Sequence, residues 1–218
     1  MSVLRIDASI QGDRSASSAL ADLVLSEITA AHPDEPVAAR HIGAEPLPSD
    51  AWQTAVLAGF ADPTTHTDQQ RSAMALARTL ATELRETDAA VLALPLYNWG
   101  VSQHVKTWID LAVAGATPGT RLLDGTPVVL VTTRGGAYGP GTPKEGWDHS
   151  IDYLRRILAD VWGADLTVVE RELTLVGVNP ALDGLAELGA EARQQAEAAA
   201  VAAGRTLAGR LRSRAVAA

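Results

Sequence analysis

Five short apolar runs, separated by stretches patterned as helices, constrain this chain more than any other feature. The runs are VLRIDA (3–8), PVAARHI (36–42), AAVLALP (89–95), PVVLVTT (127–133) and LTVVERELTLVG (166–177). Between the first two, Leu20, Leu23, Val24 and Ile28 recur at helical spacing over a helix expected from Ser17 to Ala31. Further helices are expected from Thr67 to Glu86, where Thr67 and Gln70 form a capping box, behind Trp99, from Asp148 to Trp162, and from Leu182 to an arginine-rich end near Arg212. Strands alternating with helices build a parallel sheet covered on both faces. The stretch 43–66 is Pro-rich and reads as irregular. The expectation is an α/β fold, a doubly wound sheet of five strands in one domain spanning residues 1–218.

Composition narrows the function. Hydrophobic residues make up 47% of the 218 positions, enough for a sizeable core. Zero cysteines exclude disulfides, thiolate nucleophiles and iron–sulfur ligation. A net charge of −8 with scattered Lys and Arg argues against nucleic acid, whose phosphates need a basic face. No apolar stretch approaches the roughly 20 residues of a membrane span. The first residues lack the basic and apolar blocks of an export signal, so a cytoplasmic location is expected.

In doubly wound sheets, ligands bind beyond the carboxyl ends of the strands, where strand order reverses. Three unusual loops lie there. SIQGDRSASS after the first strand carries Ser9, Ser15, Ser17 and Ser18 at a helix start, where hydroxyls and backbone N–H groups cradle a phosphate. Ser15 or Ser17 equally suits a simple N-cap. The loop has neither G-x-G-x-x-G nor G-x-x-x-x-G-K-[ST], which leaves a phosphate monoester rather than a dinucleotide or nucleoside triphosphate. PLYNWG after the third strand puts Tyr97 and Trp99 on a tight loop, with Pro95 and Asn98, as a bed for a flat heteroaromatic ring or as core beneath the next helix. TTRGGAYG after the fourth has adjacent glycines, Gly135 and Gly136, that admit close backbone approach.

Together these motifs resemble the FMN-dependent NADH:quinone oxidoreductases, the azoreductase family, along most of the chain. The resemblance implies a flavodoxin-like sheet in the order 2-1-3-4-5 and a homodimer with the active site at its interface. It implies bound FMN, NADH or NADPH as donor, and ping-pong electron transfer to quinones or azo compounds, the flavin carrying the chemistry. Ser9, Ser15, Ala16 and Ser17 would hold the phosphate and ribityl end. Pro95, Leu96, Tyr97, Asn98 and Trp99 would line the ring, and Thr133, Arg134, Gly135 and Gly136 would close over its polar edge. No catalytic side chain is required; Tyr138 is a candidate hydrogen-bond donor to a reduced oxygen or nitrogen of the acceptor.

Two departures from the family pattern bear on the acceptor. The segment GATPGTRLLDGTP (115–127) holds no aromatic residue where relatives are aromatic-rich, and AYGPGTPKEGWDH (137–149) is longer instead, bringing Tyr138 and Trp147. Leu96 stands where a Met is common and Ala16 where a Gln is common. Trp52, Phe60, Trp99 and Tyr138 are the candidates for the substrate wall. Arg14, Arg121 and Lys144 read as solvated charges, none of them marked as a reader of NADPH. A hydrolase is excluded because His104 occupies the last glycine of G-x-S-x-G around Ser102, and the five histidines lack metal-ligand spacing. Alternatives to the quinone reductase are a flavodoxin-type electron carrier and a reductase of free flavin or metal oxyanions.

Overall fold

The computed structural model describes the backbone of residues 2–217 and the side chains of residues 2–211. Strands β1 (Val3–Asp7), β2 (Val37–His41), β3 (Ala89–Ala93), β4 (Pro127–Thr133) and β5 (Asp165–Arg171) form one sheet. All neighbours are parallel, in the order 2-1-3-4-5. The central strands β3 and β4 are buried at every position, as their unbroken apolar sequence requires. The edge strand β2 is exposed along its first half, which explains its weaker apolar signal.

The pleat sends alternate residues to opposite faces. Leu4, Ile6, Leu92 and Leu130 point into a core built with α2 (Ala51–Ala58), α3 (Asp68–Glu86), α4 (Gln103–Gly115) and α5 (Ile151–Arg155). Val3, Val91, Val129 and Val131 point into a second core built with α1 (Ala16–Ala31) and α6 (Ala186–Ala217). In the first core the fully buried rings of Trp108 and Trp162 meet edge to face at 5.5 Å. Such a pair contributes about 0.5–1.5 kcal/mol beyond its area. β1 lies between β2 and β3, so the chain leaves it in one direction and returns on its other side. The loops after β1 and β3 therefore part and open a crevice at the carboxyl edge.

Several sequence boundaries shift for local reasons. The stretch 43–66 contains α2, because Ala51, Ala55 and Ala58 recur at helical spacing and bury against α3; alanines carry little periodic signal. The fifth strand ends at Arg171, not Gly177. Leu173 adopts φ +58°, and the amides of Leu173, Thr174 and Leu175 bond to the carbonyls of Gly136, Arg134 and Gly135. The helix expected from Asp148 to Trp162 starts at Ile151 and widens into a π-helix over Arg156–Val161, where the Trp162 amide reaches the Ile157 carbonyl. The last helix is preceded by a 3-10 segment, Pro180–Leu185, and runs past Arg212; the side chains of Arg212 and Arg214 lie outside the described residues. The capping box of Thr67 and Gln70 is present. Among the described residues no helix is long and apolar enough to cross a membrane.

Candidate active site

β1 ends in Asp7, a buried carboxylate that accepts hydrogen bonds from Arg5 Nε at 2.5 Å and Ser18 Oγ at 2.6 Å. Beyond it the chain passes through buried Ser9 and a 3-10 turn, Gly12–Arg14, before Ser15 caps α1. Ser15 Oγ accepts from the Ser18 amide at 3.1 Å and lies 3.2 Å from Ser17 Oγ and 2.8 Å from Ser18 Oγ. The first-turn amides of Ala16 and Ser17 have no acceptor within their own helix and carry the positive end of its dipole. Ser15 thus serves both as cap and as part of a donor cluster, and the two readings of this serine are compatible.

The loop after β3 starts as a continuation of the sheet, with the Leu94 and Leu96 amides bonded to the carbonyls of Val131 and Thr133. It then reverses between Tyr97 and Gly100, which exchange both backbone hydrogen bonds. Asn98 (φ +48°) and Trp99 (φ +64°) are both left-handed, the pattern of a type I′ turn. Asn tolerates that conformation; a bulky Trp does so at a cost of roughly 1–2 kcal/mol. The turn holds because it is clamped from both sides. Tyr97 Oη accepts from the Ile10 amide at 3.1 Å and lies 3.4 Å from Ser9 Oγ, joining this loop to the serine loop. The Trp99 carbonyl accepts from the His149 amide at 2.9 Å, and the rings of Trp99 and Trp147 meet edge-on at 6.1 Å.

The loop after β4 is held by a buried ion cluster. Arg134 Nε donates to Asp148 at 2.5 Å and its Nη1 to Glu170 at 2.6 Å, with Glu172 at 3.6 Å. Burial works against this guanidinium's charge, yet the bonds from Asp148 and Glu170 outweigh it and hold its pKa above the ordinary value. Asp148 also accepts from the amides of Ser150 and Ile151, so one carboxylate ties the long 137–149 loop to α5. Gly135 makes room for a side chain: a Cβ there would lie 2.7 Å from Leu175 Cδ1.

These loops enclose a cleft of about 500 Å³. Of the residues expected to hold a flavin, Ser9, Ser15, Ala16, Ser17, Pro95, Leu96, Tyr97, Thr133 and Gly135 line it; Asn98, Trp99, Arg134 and Gly136 do not. Asn98 and Trp99 shape the turn, Arg134 is spent on the ion cluster, and Gly136 faces Lys144. Five further lining residues escaped the sequence reading: Ile10, Gln11, Thr174, Leu175 and Val178. Gly177 and Asn179–Pro180 were the available signal, since they mark a turn that cuts the fifth strand short. Arg14 also lines the cleft, where it had read as a solvated charge.

The proposed substrate wall is not assembled within this chain. Trp52 and Phe60 sit on and just past α2, 46% and 85% exposed, and neither lines the cleft. Tyr138 lies under Lys144 Nζ, 5.3 Å from its ring centre, outside the cleft lining. Its pKa is pushed up by burial first and by nearby Asp148 second. Ser102 caps α4 through the Val105 amide, a structural task. Among the described residues no three His, Cys, Asp or Glu side chains gather as a metal site.

A parallel sheet in this order, with its cleft at the switch between β1 and β3, defines a flavodoxin-like protein. The family model described as Flavodoxin-like fold matches residues 1–203. An FMN-dependent NADH:quinone oxidoreductase of Frankia alni is 36% identical over 202 residues, 90% of this chain and 95% of that protein. One from Streptomyces avermitilis is 36% identical over 95% of this chain and 97% of its own. Among solved structures, an azoreductase from Bacillus anthracis superposes with a TM-score of 0.73 at 20% identity, covering 94% of this chain and 99% of that one. An FMN-dependent NADH-azoreductase from the same species, in complex with FMN, gives 0.71 at 18% identity, covering 95% of this chain and 100% of that one. The chain belongs to the FMN-dependent NADH:quinone oxidoreductase family.

Proposed function

We propose that this protein is an FMN-dependent oxidoreductase that takes electrons from NADH and passes them to quinones, with azo compounds as further acceptors. The observation that carries the reading is the single cleft where the serine loop, the Tyr97 loop and the Thr133 loop converge. The residues fit the cofactor. Hydroxyls of Ser9, Ser15 and Ser17 and the first-turn amides of α1 suit its phosphate, while Pro95, Leu96 and Tyr97 present a flat, largely apolar floor for its ring. A volume near 500 Å³ lies within the range of about 300–1,000 Å³ for small-molecule sites. The names of the relatives and the FMN complex of a structural neighbour support the same cofactor and donor.

Bound FMN supplies the two-electron chemistry, in ping-pong order between NADH and acceptor. The chain's contribution is positioning. Tyr97 locks the loop that would bed the ring to the serine loop, and the Arg134–Asp148 pair fixes the loop that would border the ring's polar edge. Homodimer formation and a cytoplasmic location belong to the same proposal. The exposed Trp52, Leu57 and Phe60 of the α2 region support the former, because aromatic and aliphatic groups on one helix favour a covered face.

The test is to load the protein with FMN and add NADH without oxygen. Bleaching of the visible flavin absorption, followed by recovery when a quinone is added, is the expected result. An electron carrier would leave NADH unoxidised, and a protein that takes up no FMN would defeat the reading.

A further inference from the structure

We propose that Arg14 is the charge partner of the phosphate in this cleft and makes the site select FMN over riboflavin; the proposal rests on the FMN reading above. Among the lining residues Arg14 alone carries a formal charge at neutral pH. Ser9, Ser15, Ser17 and the amides beside them donate hydrogen bonds but bring no net charge. A phosphate monoester carries about −1.5 to −2 at pH 7, and a chain of net charge −8 repels it from a distance. A local cation is what reverses that sign.

Of the other basic groups near these loops, Lys144 lies over the Tyr138 ring outside the cleft lining, and Arg5 and Arg134 are held by carboxylates. Arg5, beneath the serine loop, donates to Asp7 and Asp22 at 2.5 Å each. Arg134 is bound by Asp148 and Glu170. Arg14 is exposed and pairs with no carboxylate among the described residues. Its backbone is well placed: the Arg14 amide bonds to the Gln11 carbonyl at 3.2 Å and the Ser15 amide to the Gly12 carbonyl at 3.0 Å. That turn places Arg14 directly before the capping serine, and Arg14 lines the same cleft as Ser15 and Ser17. A guanidinium offers paired donors that match two phosphate oxygens, so it adds geometry as well as charge.

The experiment measures FMN and riboflavin dissociation constants for the apoprotein and for R14A, R14Q and R14K, by flavin fluorescence at low and high salt. R14A and R14Q are expected to weaken FMN by about 10- to 100-fold, to move riboflavin by less than about twofold, and to flatten the salt dependence of FMN binding. R14K is expected to recover part of the loss. The proposal is overturned if R14A leaves FMN binding unchanged, or weakens both flavins equally. Thermal unfolding of the apo variants guards against a folding defect. A wild-type protein that binds neither flavin would instead defeat the FMN reading itself, an outcome distinct from a wild type that binds FMN no better than R14A does.

Discussion

At the scale of single residues, Gly43 shows how tightly the serine loop is held. A Cβ at this position would lie 2.2 Å from the backbone oxygen of Ser9, an approach that neither backbone can relieve by rotating a side chain. The Gly43 amide meanwhile bonds to the Asp7 carbonyl. Gly43→Ala is therefore expected to cost about 1–3 kcal/mol of stability and to weaken FMN by displacing Ser9. Urea unfolding and flavin titration check both, and an unperturbed variant would contradict the close approach. Ser15→Ala removes the cap of α1, at a cost of about 1 kcal/mol in the apoprotein. Unchanged urea stability would mean that Ser15 serves only the ligand.

At the scale of elements, the 137–149 loop depends on one buried ion cluster. Arg134 and Asp148 are 7% and 11% exposed at their side chains, so removing the guanidinium strands a carboxylate away from water. Arg134→Met is expected to destabilise by about 3 kcal/mol, the low end for breaking a buried pair, because Glu170 at 38% exposure still finds solvent. The same change should alter the near-ultraviolet circular dichroism of the Trp99–Trp147 pair, since His149 hangs the left-handed turn on this loop. A loss of stability without that spectral change would separate the cluster from the turn. Here the sequence was legible only in part. TTRGG marked the loop as special, but Arg134 turned inward to acids fourteen or more residues away, and no local pattern reports such a pairing.

At the scale of the whole molecule, several groups place the limit of stability on the alkaline side. Tyr138 and Tyr153 both have pKa values raised from 10.0, by burial above all. In the unfolded chain these phenols ionise near 10, while in the folded chain they keep their protons longer. Between the two values the unfolded state binds fewer protons, so stability falls as pH rises. Lys106 acts in the same direction: its bond to Asp110 raises its pKa, and the stability it lends is present below its ordinary 10.5 and lost as pH climbs through the raised value. Melting temperature is expected to decline from about pH 10 upward, and less steeply in a Y138F/Y153F variant. An equal slope in both proteins would assign the decline to other groups.

What the sequence alone determined is what short-range chemistry encodes. Apolar runs longer than any loop needs became the buried strands β3 and β4, the 3.6-residue period became α1, and Thr67 with Gln70 became the capping box that opens α3. The three loops were legible as well, because a strand that hands over to Ser-, Tyr-Asn-Trp- or Gly-Gly-bearing sequence departs from the needs of packing. Tertiary structure alone decided which of those residues face the cleft. Asn98 and Trp99 became a clamped turn, Leu175 filled the space above Gly135, and Thr174 and Val178 entered the wall from beyond a strand that ended early. The physical reason is that exposure to a cleft is a property of neighbours distant in the chain, and pairings such as Tyr97 with Ile10 leave no periodic trace in sequence.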